Sequence, residues 1–395
     1  MKRQLLHTPE GVRDIYNDEC EKKMLLQDQL YHILRLHGYH PIQTPTFEFF
    51  DIFGREIGTT PSKDLYKFFD REGNTLVLRP DITPSIARCA AKYFGEEELP
   101  IRLCYMGNTF INNSSYQGRL KECTQLGAEL LGDPSVDADA EMISMVISCL
   151  KAAGLKEFQL SIGHADFFRG LMEAAGLLEE QEEELRELIS NKNFFGVEEF
   201  VETLNLEENL KNLFGMLGNL YTGSDELSAA RECAASYPRI LKAIGDLEEL
   251  HKILEVYEVS RYVSFELGTI SNYQYYTGII FAGYTFGSGE AIVKGGRYDR
   301  LLTYFGKDSA SIGFAFVIDQ LMAALQRQKI DVPVERCVEL MVYKSAKRQT
   351  AITAAATARA AGRCVELMLW DETKQRKDYE DYAARSRMIN VQFFA

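Results

Sequence analysis

Between Asp18 and His37 the apolar residues Leu26, Leu30, Ile33 and Leu34 recur at helical spacing, with Met24, Leu25 and Leu36 widening the stripe. An amphipathic helix is expected there, and Gly38 stops it. The next segment, GYHPIQTPTFEFFDIF, carries Ile42, Phe47 and Phe49 in extended chain, but Pro41 and Pro45 deny it a central place in a sheet. It reads as an edge or interface strand. DLYKFFDREGNTLVLRPD places two short apolar runs around a polar turn, the pattern of a hairpin, and Asp81 or Thr83 is positioned to cap the helix TPSIARCAAKYF.

Residues 101–132 and 262–318 alternate like strands, with turns expected at 112–118, 286–290 and 295–296, which together suggest an antiparallel sheet. Between them, residues 167–260 are helical and acidic, with Glu182, Glu183 and Glu184 in one run, and read as an inserted helical subdomain. After Val332-Pro333 the pattern changes to strand VELMVYK, an Ala-rich helix ended by Gly362, and strand CVELMLW. A small, mixed and largely parallel α/β tail is expected.

At 395 residues and 46% hydrophobic content, the chain is long enough for two or three domains with cores of their own. No stretch approaches the roughly 18 consecutive apolar residues needed to span a bilayer, and the first residues lack a secretory apolar run. A cytoplasmic protein with no membrane partner is expected. Eight scattered cysteines without a C-x-x-C pair, and no histidine cluster, point to reduced, mostly packed thiols and to no metal or other cofactor. A formal net charge of −14 disfavours nucleic acid as a partner.

Three segments carry candidate chemistry. In Leu78–Arg88, Asp81 and Thr83 are two apart, so an extended chain points both to one side, where they can accept hydrogen bonds from an amine; an ordinary strand end and helix cap explains the same residues. In Gly118–Gly132, Gln125 and Glu129 share one strand face with Gly127 between them, leaving that face open at its centre. Their apolar neighbours Leu126, Ala128, Leu130 and Leu131 suggest a covered strand, where polar groups need partners. In Asn272–Phe286, Tyr275 and Tyr276 can offer phenols to a polar ligand or simply pack, and Gly295-Gly296-Arg297 is a weak candidate for an anion site at a strand end.

These motifs, in this order, resemble the catalytic domain of class II histidyl-tRNA synthetases over about residues 1–325. TPEGVRD (8–14) resembles the family's opening loop, and GYHPIQTPTFE (38–48) its motif 1, which builds a dimer interface. Arg102 to Glu129 is similar to motif 2, YQYYTG (273–278) to the histidine-specific segment, and GGRYDRLLTYFG with SIGFAFVIDQL to motif 3. The resemblance implies an α+β fold: an antiparallel sheet flanked by helices, with the 167–260 insertion and a truncated, anticodon-binding-like α/β domain at 334–395.

The departures are specific. Where the family has Phe-Arg-x-Glu-Arg, this chain has Phe110, Ile111, Asn112, Asn113 and Ser114; the substrate-binding arginine position holds Ser271; and motif 3 reads Asp319-Gln320 in place of Glu-Arg. Removing one contact to a developing charge costs about 2.7–4 kcal/mol, so losing those at Ile111, Asn113, Ser271 and Gln320 implies negligible adenylation. The amino-acid positions are retained: by analogy Asp81, Thr83 and Gln125 would take the α-ammonium of histidine, and Glu129 with Tyr275 or Tyr276 the imidazole. This combination resembles the regulatory-subunit family of ATP phosphoribosyltransferase. It implies a non-enzyme that partners the short-form catalytic subunit of histidine biosynthesis, activates it, senses L-histidine, and sits as a homodimer within a hetero-oligomer. A divergent histidyl-tRNA synthetase or a stand-alone histidine-binding paralogue is the alternative.

Overall fold

A computed structural model describes residues 6–54, 60–95, 100–113, 120–269 and 275–395. The chain divides into two compact units, Met1–Val332 and Pro333–Ala395.

The first unit is organised by a nine-stranded sheet among the described residues. Its order is His40–Pro41, Ile101–Phe110, Glu122–Leu131, Ser311–Val317, Val293–Arg297, Ile279–Thr285, Phe158–His164, Val263–Glu266 and Leu220–Tyr221. Pairing is antiparallel except at two places, where His40–Pro41 joins Ile101–Phe110 and Phe158–His164 joins Val263–Glu266 in parallel. Pro41 therefore sits on an edge strand, where its missing N–H does least harm.

Alternation along the central strands separates two cores. Cys104, Leu126, Ala128, Leu130, Ile312, Phe314 and Phe316 face the larger one. That core takes Leu26, Leu30 and Leu34 from the helix Asn17–Leu36, whose apolar stripe is narrower than the sequence suggests because Met24 and Leu36 are exposed. Gly38 follows with φ +81, a left-handed conformation that ends the helix at little steric cost. The helices between Ala165 and Val256 share this core through Phe167, Leu185, Leu210 and Leu247, and within their span Leu220–Tyr221 extends the main sheet. On the opposite face Ile101, Leu103, Tyr105 and Leu131 join Ile82, Ile86, Tyr275, Tyr276 and Tyr298 in a smaller cluster.

The hairpin forms as the pattern predicts, with Lys67–Phe69 paired to Thr75–Leu78 and Phe47–Phe49 on the other side of Thr75–Leu78. Gly295 and Gly296 are a correction. They lie inside the strand Val293–Arg297 instead of turning the chain, because the Phe281 ring lies over Gly295 and the Tyr276 ring over Gly296 where a side chain would stand. The expected turn after Asn112 falls partly on residues 114–119, outside the described residues.

The second unit is a three-stranded, wholly parallel sheet, not a mixed one. Val338–Tyr343 lies between Cys364–Leu369 and Asn390–Phe394, with helices Arg348–Ala360 and Arg376–Arg385 as the crossovers. Among the described residues no helix is long and apolar enough to cross a membrane, and no group of His, Cys, Asp or Glu is placed to hold a metal ion.

Candidate functional site

The smaller core contains a buried carboxyl group. Glu129 is 1% exposed; its Oε1 accepts a hydrogen bond from Thr83 Oγ1 at 2.8 Å and its Oε2 one from Tyr298 Oη at 2.5 Å. Cross-strand register creates its space: Glu129 pairs with Leu103 on one side and Gly313 on the other, and Gly313 pairs in turn with Gly296. A Cβ on Gly313 would overlap the Glu129 carboxyl group. Gly313→Ala is therefore expected to destabilise the fold by about 1–3 kcal/mol, read as a lower urea midpoint. An unchanged midpoint would mean that the carboxyl group has room to move.

Thr83 opens the helix Thr83–Tyr93, and Asp81 just before it accepts from the backbone N–H of Ile82 (2.7 Å) and, more weakly, of Thr83 (3.5 Å) through Oδ1. Neither expected residue caps the helix: Ile82 stands at the N-cap, Asp81 holds the N–H groups just before the first turn, and the Thr83 hydroxyl turns to Glu129. Asp81 Oδ2 has no hydrogen bond among the described residues. Tyr275 and Tyr276 are nearly buried, with ring centroids 4.8 Å apart, and Tyr275 meets the Tyr298 ring edge-on at 5.9 Å. Arg169 Nη2 donates to the Tyr276 carbonyl at 2.7 Å.

The open centre expected beside Gly127 is filled. Tyr105, its cross-strand partner, lays its phenol where a Gly127 side chain would stand. Tyr105 Oη and Gln125 Oε1 are both buried without a hydrogen-bond partner among the described residues. Such atoms carry a desolvation cost that a bound polar ligand would relieve.

Burial dominates the electrostatics. Desolvation lifts Glu129 to about 8, against the opposing pull of the hydrogen bonds from Tyr298 and Thr83, with the Asp81 charge adding to the rise. Asp81 is lifted to about 6, again by desolvation, with the Ile82 and Thr83 N–H groups pulling the other way. Desolvation also holds the Tyr105 and Tyr298 phenols well above their ordinary range, helped by the nearby Glu129 charge. Two desolvated acids that feel each other's charge, with the Tyr298 phenol on one of them, suit a ligand that brings positive charge and N–H donors.

The positions expected to have lost catalytic arginines hold no phosphate-gripping charge where the structure describes them. Ile111 bonds through its backbone N–H to the Lys121 carbonyl, Asn113 donates to the Leu120 carbonyl and leaves Oδ1 buried without a partner, and Gln320 lies in the first turn of the helix Ile318–Arg327. Ser271 lies outside the described residues, as does Tyr273 of the tyrosine segment. Asp319, beside Gln320, is occupied structurally: it pairs with Lys23 at 2.7 Å and accepts from the Thr124 N–H. Arg297 is no anion site. Its guanidinium is buried against Asp139 at 2.6 Å and donates to the Asp133 and Ser135 carbonyls. Sequence reasoning missed Tyr298 and Tyr105; the signal available was a lone tyrosine after GGR and another facing Gly127 across the hairpin.

Residues 11–321 match the histidyl-tRNA synthetase family model. An ATP phosphoribosyltransferase regulatory subunit from Acetivibrio thermocellus is 42% identical over 92% of this chain and 86% of its own length. One from Ruminiclostridium cellulolyticum is 38% identical over 99% and 93%. A solved structure from Bacillus halodurans, described as an ATP phosphoribosyltransferase regulatory subunit/histidyl-tRNA synthetase, superposes with a TM-score of 0.86 at 32% identity, covering 99% of this chain and 98% of that one.

Proposed function

This chain belongs to the family of ATP phosphoribosyltransferase regulatory subunits, built on the histidyl-tRNA synthetase fold, and from that premise we propose a specific division of labour. The protein is the non-catalytic partner of the short-form catalytic subunit, activates it on assembly, and transmits feedback inhibition by histidine. What supports this reading is a buried Glu129 carboxyl group that accepts from Thr83, on the same strand as the unpaired Gln125 oxygen and close to Asp81 in the fold, in a chain with uncharged residues at Ile111, Asn113 and Gln320.

Histidine fits the chemistry of these groups. Its α-ammonium finds Asp81 and the orphaned Gln125 oxygen, and its imidazole finds Glu129 and the tyrosines. Its carboxylate takes a backbone N–H in place of the absent arginine. Histidine then binds one conformation of the complex more tightly and shifts the population toward low activity, with a coupling of about 1–3 kcal/mol. A homodimer of this chain within the hetero-oligomer is part of the same reading.

Co-expression with a short-form catalytic subunit tests it. The two chains are expected to co-purify, the complex to be more active than the catalytic subunit alone, and histidine to depress that activity; the purified chain is expected to give no ATP- and histidine-dependent pyrophosphate exchange. Robust exchange would identify an active synthetase instead.

A further inference from the structure

We propose that Cys337 and Cys364 form a reversible disulfide that fastens the edge of the C-terminal sheet. Of the eight cysteines, these two alone are exposed, whereas Cys104 and Cys149 are buried in the core of the first unit. The sequence suggests reduced, mostly packed thiols, and this exposed pair departs from the packed pattern. Their sulfurs lie 3.2 Å apart. A disulfide requires about 2.05 Å, so closure asks for a shift of roughly 1 Å, within reach of side-chain rotation.

The backbone holds the pair in place. Cys337 immediately precedes the central strand Val338–Tyr343, Cys364 opens the edge strand Cys364–Leu369, and Val338 is the register partner of Cys364. The two thiols therefore sit at the same end of adjacent parallel strands. The link would enclose the crossover helix Arg348–Ala360, with 27 positions separating the two cysteines in sequence. Closing a loop of that length removes freedom chiefly from the unfolded chain. The unit has about 60 residues, a size at which one small core is marginal, and its apolar packing is split between a cluster on Leu340, Val342 and Tyr379 and another on Met341, Ala355 and Ala358. A covalent tie between its centre and edge strands would protect it strongly for its size.

The oxidant is a low-molecular-weight disulfide. One cysteine thiolate attacks it, forming a mixed disulfide and expelling one small thiolate; the second cysteine thiolate then attacks the protein sulfur of that mixed disulfide and expels the other. The protein loses two electrons and two protons, and the small disulfide becomes two small thiols. Excess small thiol reverses both steps.

The test uses the full chain with glutathione disulfide as the probe. Intact mass is expected to fall by about 2 Da without a lasting adduct, peptide mapping under non-reducing conditions to join the segments bearing Cys337 and Cys364, and dithiothreitol to restore the starting mass. Cys337→Ser and Cys364→Ser should each abolish the loss and retain a single glutathione on the remaining thiol. Limited proteolysis within the C-terminal unit should slow several-fold in the oxidised chain. An unchanged mass, bridges to other cysteines, persistent mixed adducts on the parent chain, or cleavage indifferent to oxidation would each overturn the proposal.

Discussion

Replacing Glu129 by alanine is expected to weaken histidine binding by about 150-fold, equivalent to about 3 kcal/mol, in a calorimetric titration of the complex. The size follows from burial. Glu129 is the buried acid against which an imidazole N–H would be placed, and without it that donor would be desolvated with no acceptor. Asp81→Ala should lose less, because Asp81 already spends one carboxylate oxygen on the Ile82 and Thr83 N–H groups. Unchanged binding in both variants would remove histidine from this pocket.

The pH dependence supplies a sharper signature. Glu129 near 8 carries a proton in the free protein at neutral pH, and free imidazole near 6.5 does not, so the complex with one proton shared between them forms without net proton exchange in that interval. Below about 6.5 the free ring is charged and Glu129 is still protonated, so binding must release a proton and the affinity falls. Asp81, near 6, adds to that acid limb because an ammonium needs its carboxylate form. Above about 8 Glu129 ionises in the free protein, binding must take up a proton, and the affinity falls again. Glu129→Gln, which cannot ionise, should lose Glu129's share of the alkaline limb while keeping the acid one; the alkaline fall that remains then belongs to histidine's own α-amino group. A profile flat from pH 5 to 9 would contradict the assignment.

Much of this architecture is legible in the residues themselves because it depends on local periodicity. Leu26, Leu30 and Leu34 announce their helix, and the alternation through Ile101–Phe110 and Glu122–Leu131 announces the central strands. Glu129 could be picked out because its neighbours demand cover, and Thr83 because it stands two residues from Asp81; the structure brings Glu129 and Thr83 into contact. What stayed hidden depends on partners far away in sequence. Gly295-Gly296 reads as a turn until the Phe281 and Tyr276 rings are seen to need that space, and Gly127 reads as an opening until Tyr105 is placed across from it. Tyr298 reaches Glu129 from 169 positions away, a distance no local pattern encodes. The third C-terminal strand, Asn390–Phe394, is a short run whose register exists only against Val338–Tyr343.

The residues flanking Tyr298 explain how so short a segment is held, and they yield the largest expected loss of stability. Arg297 fastens the strand Val293–Arg297 to the first turn of the helix Val136–Ala152 through Asp139, with its remaining donors on the Asp133 and Ser135 carbonyls. Asp299 secures the other side, accepting from Thr277 Oγ1 beside the paired tyrosines. Arg297→Ala leaves a buried carboxyl group and two carbonyls without their donor, which should cost about 3–5 kcal/mol. Arg297→Met combined with Asp139→Leu removes both charges together and should recover most of that loss. Burial already outweighs the guanidinium enough to lift Asp139 to about 6, and without Arg297 it should rise further. A carboxyl group raised above its unfolded value takes its proton more readily in the folded state, so its penalty is absent below the unfolded pKa and grows as pH rises through the folded one. The Arg297→Ala deficit, measured as a shift in urea midpoint at unchanged slope, should therefore be smaller at pH 5 than at pH 8. Equal deficits at the two pH values, or a double variant no more stable than the single one, would show that lost packing around the arginine stem, not the stranded acid, sets the cost.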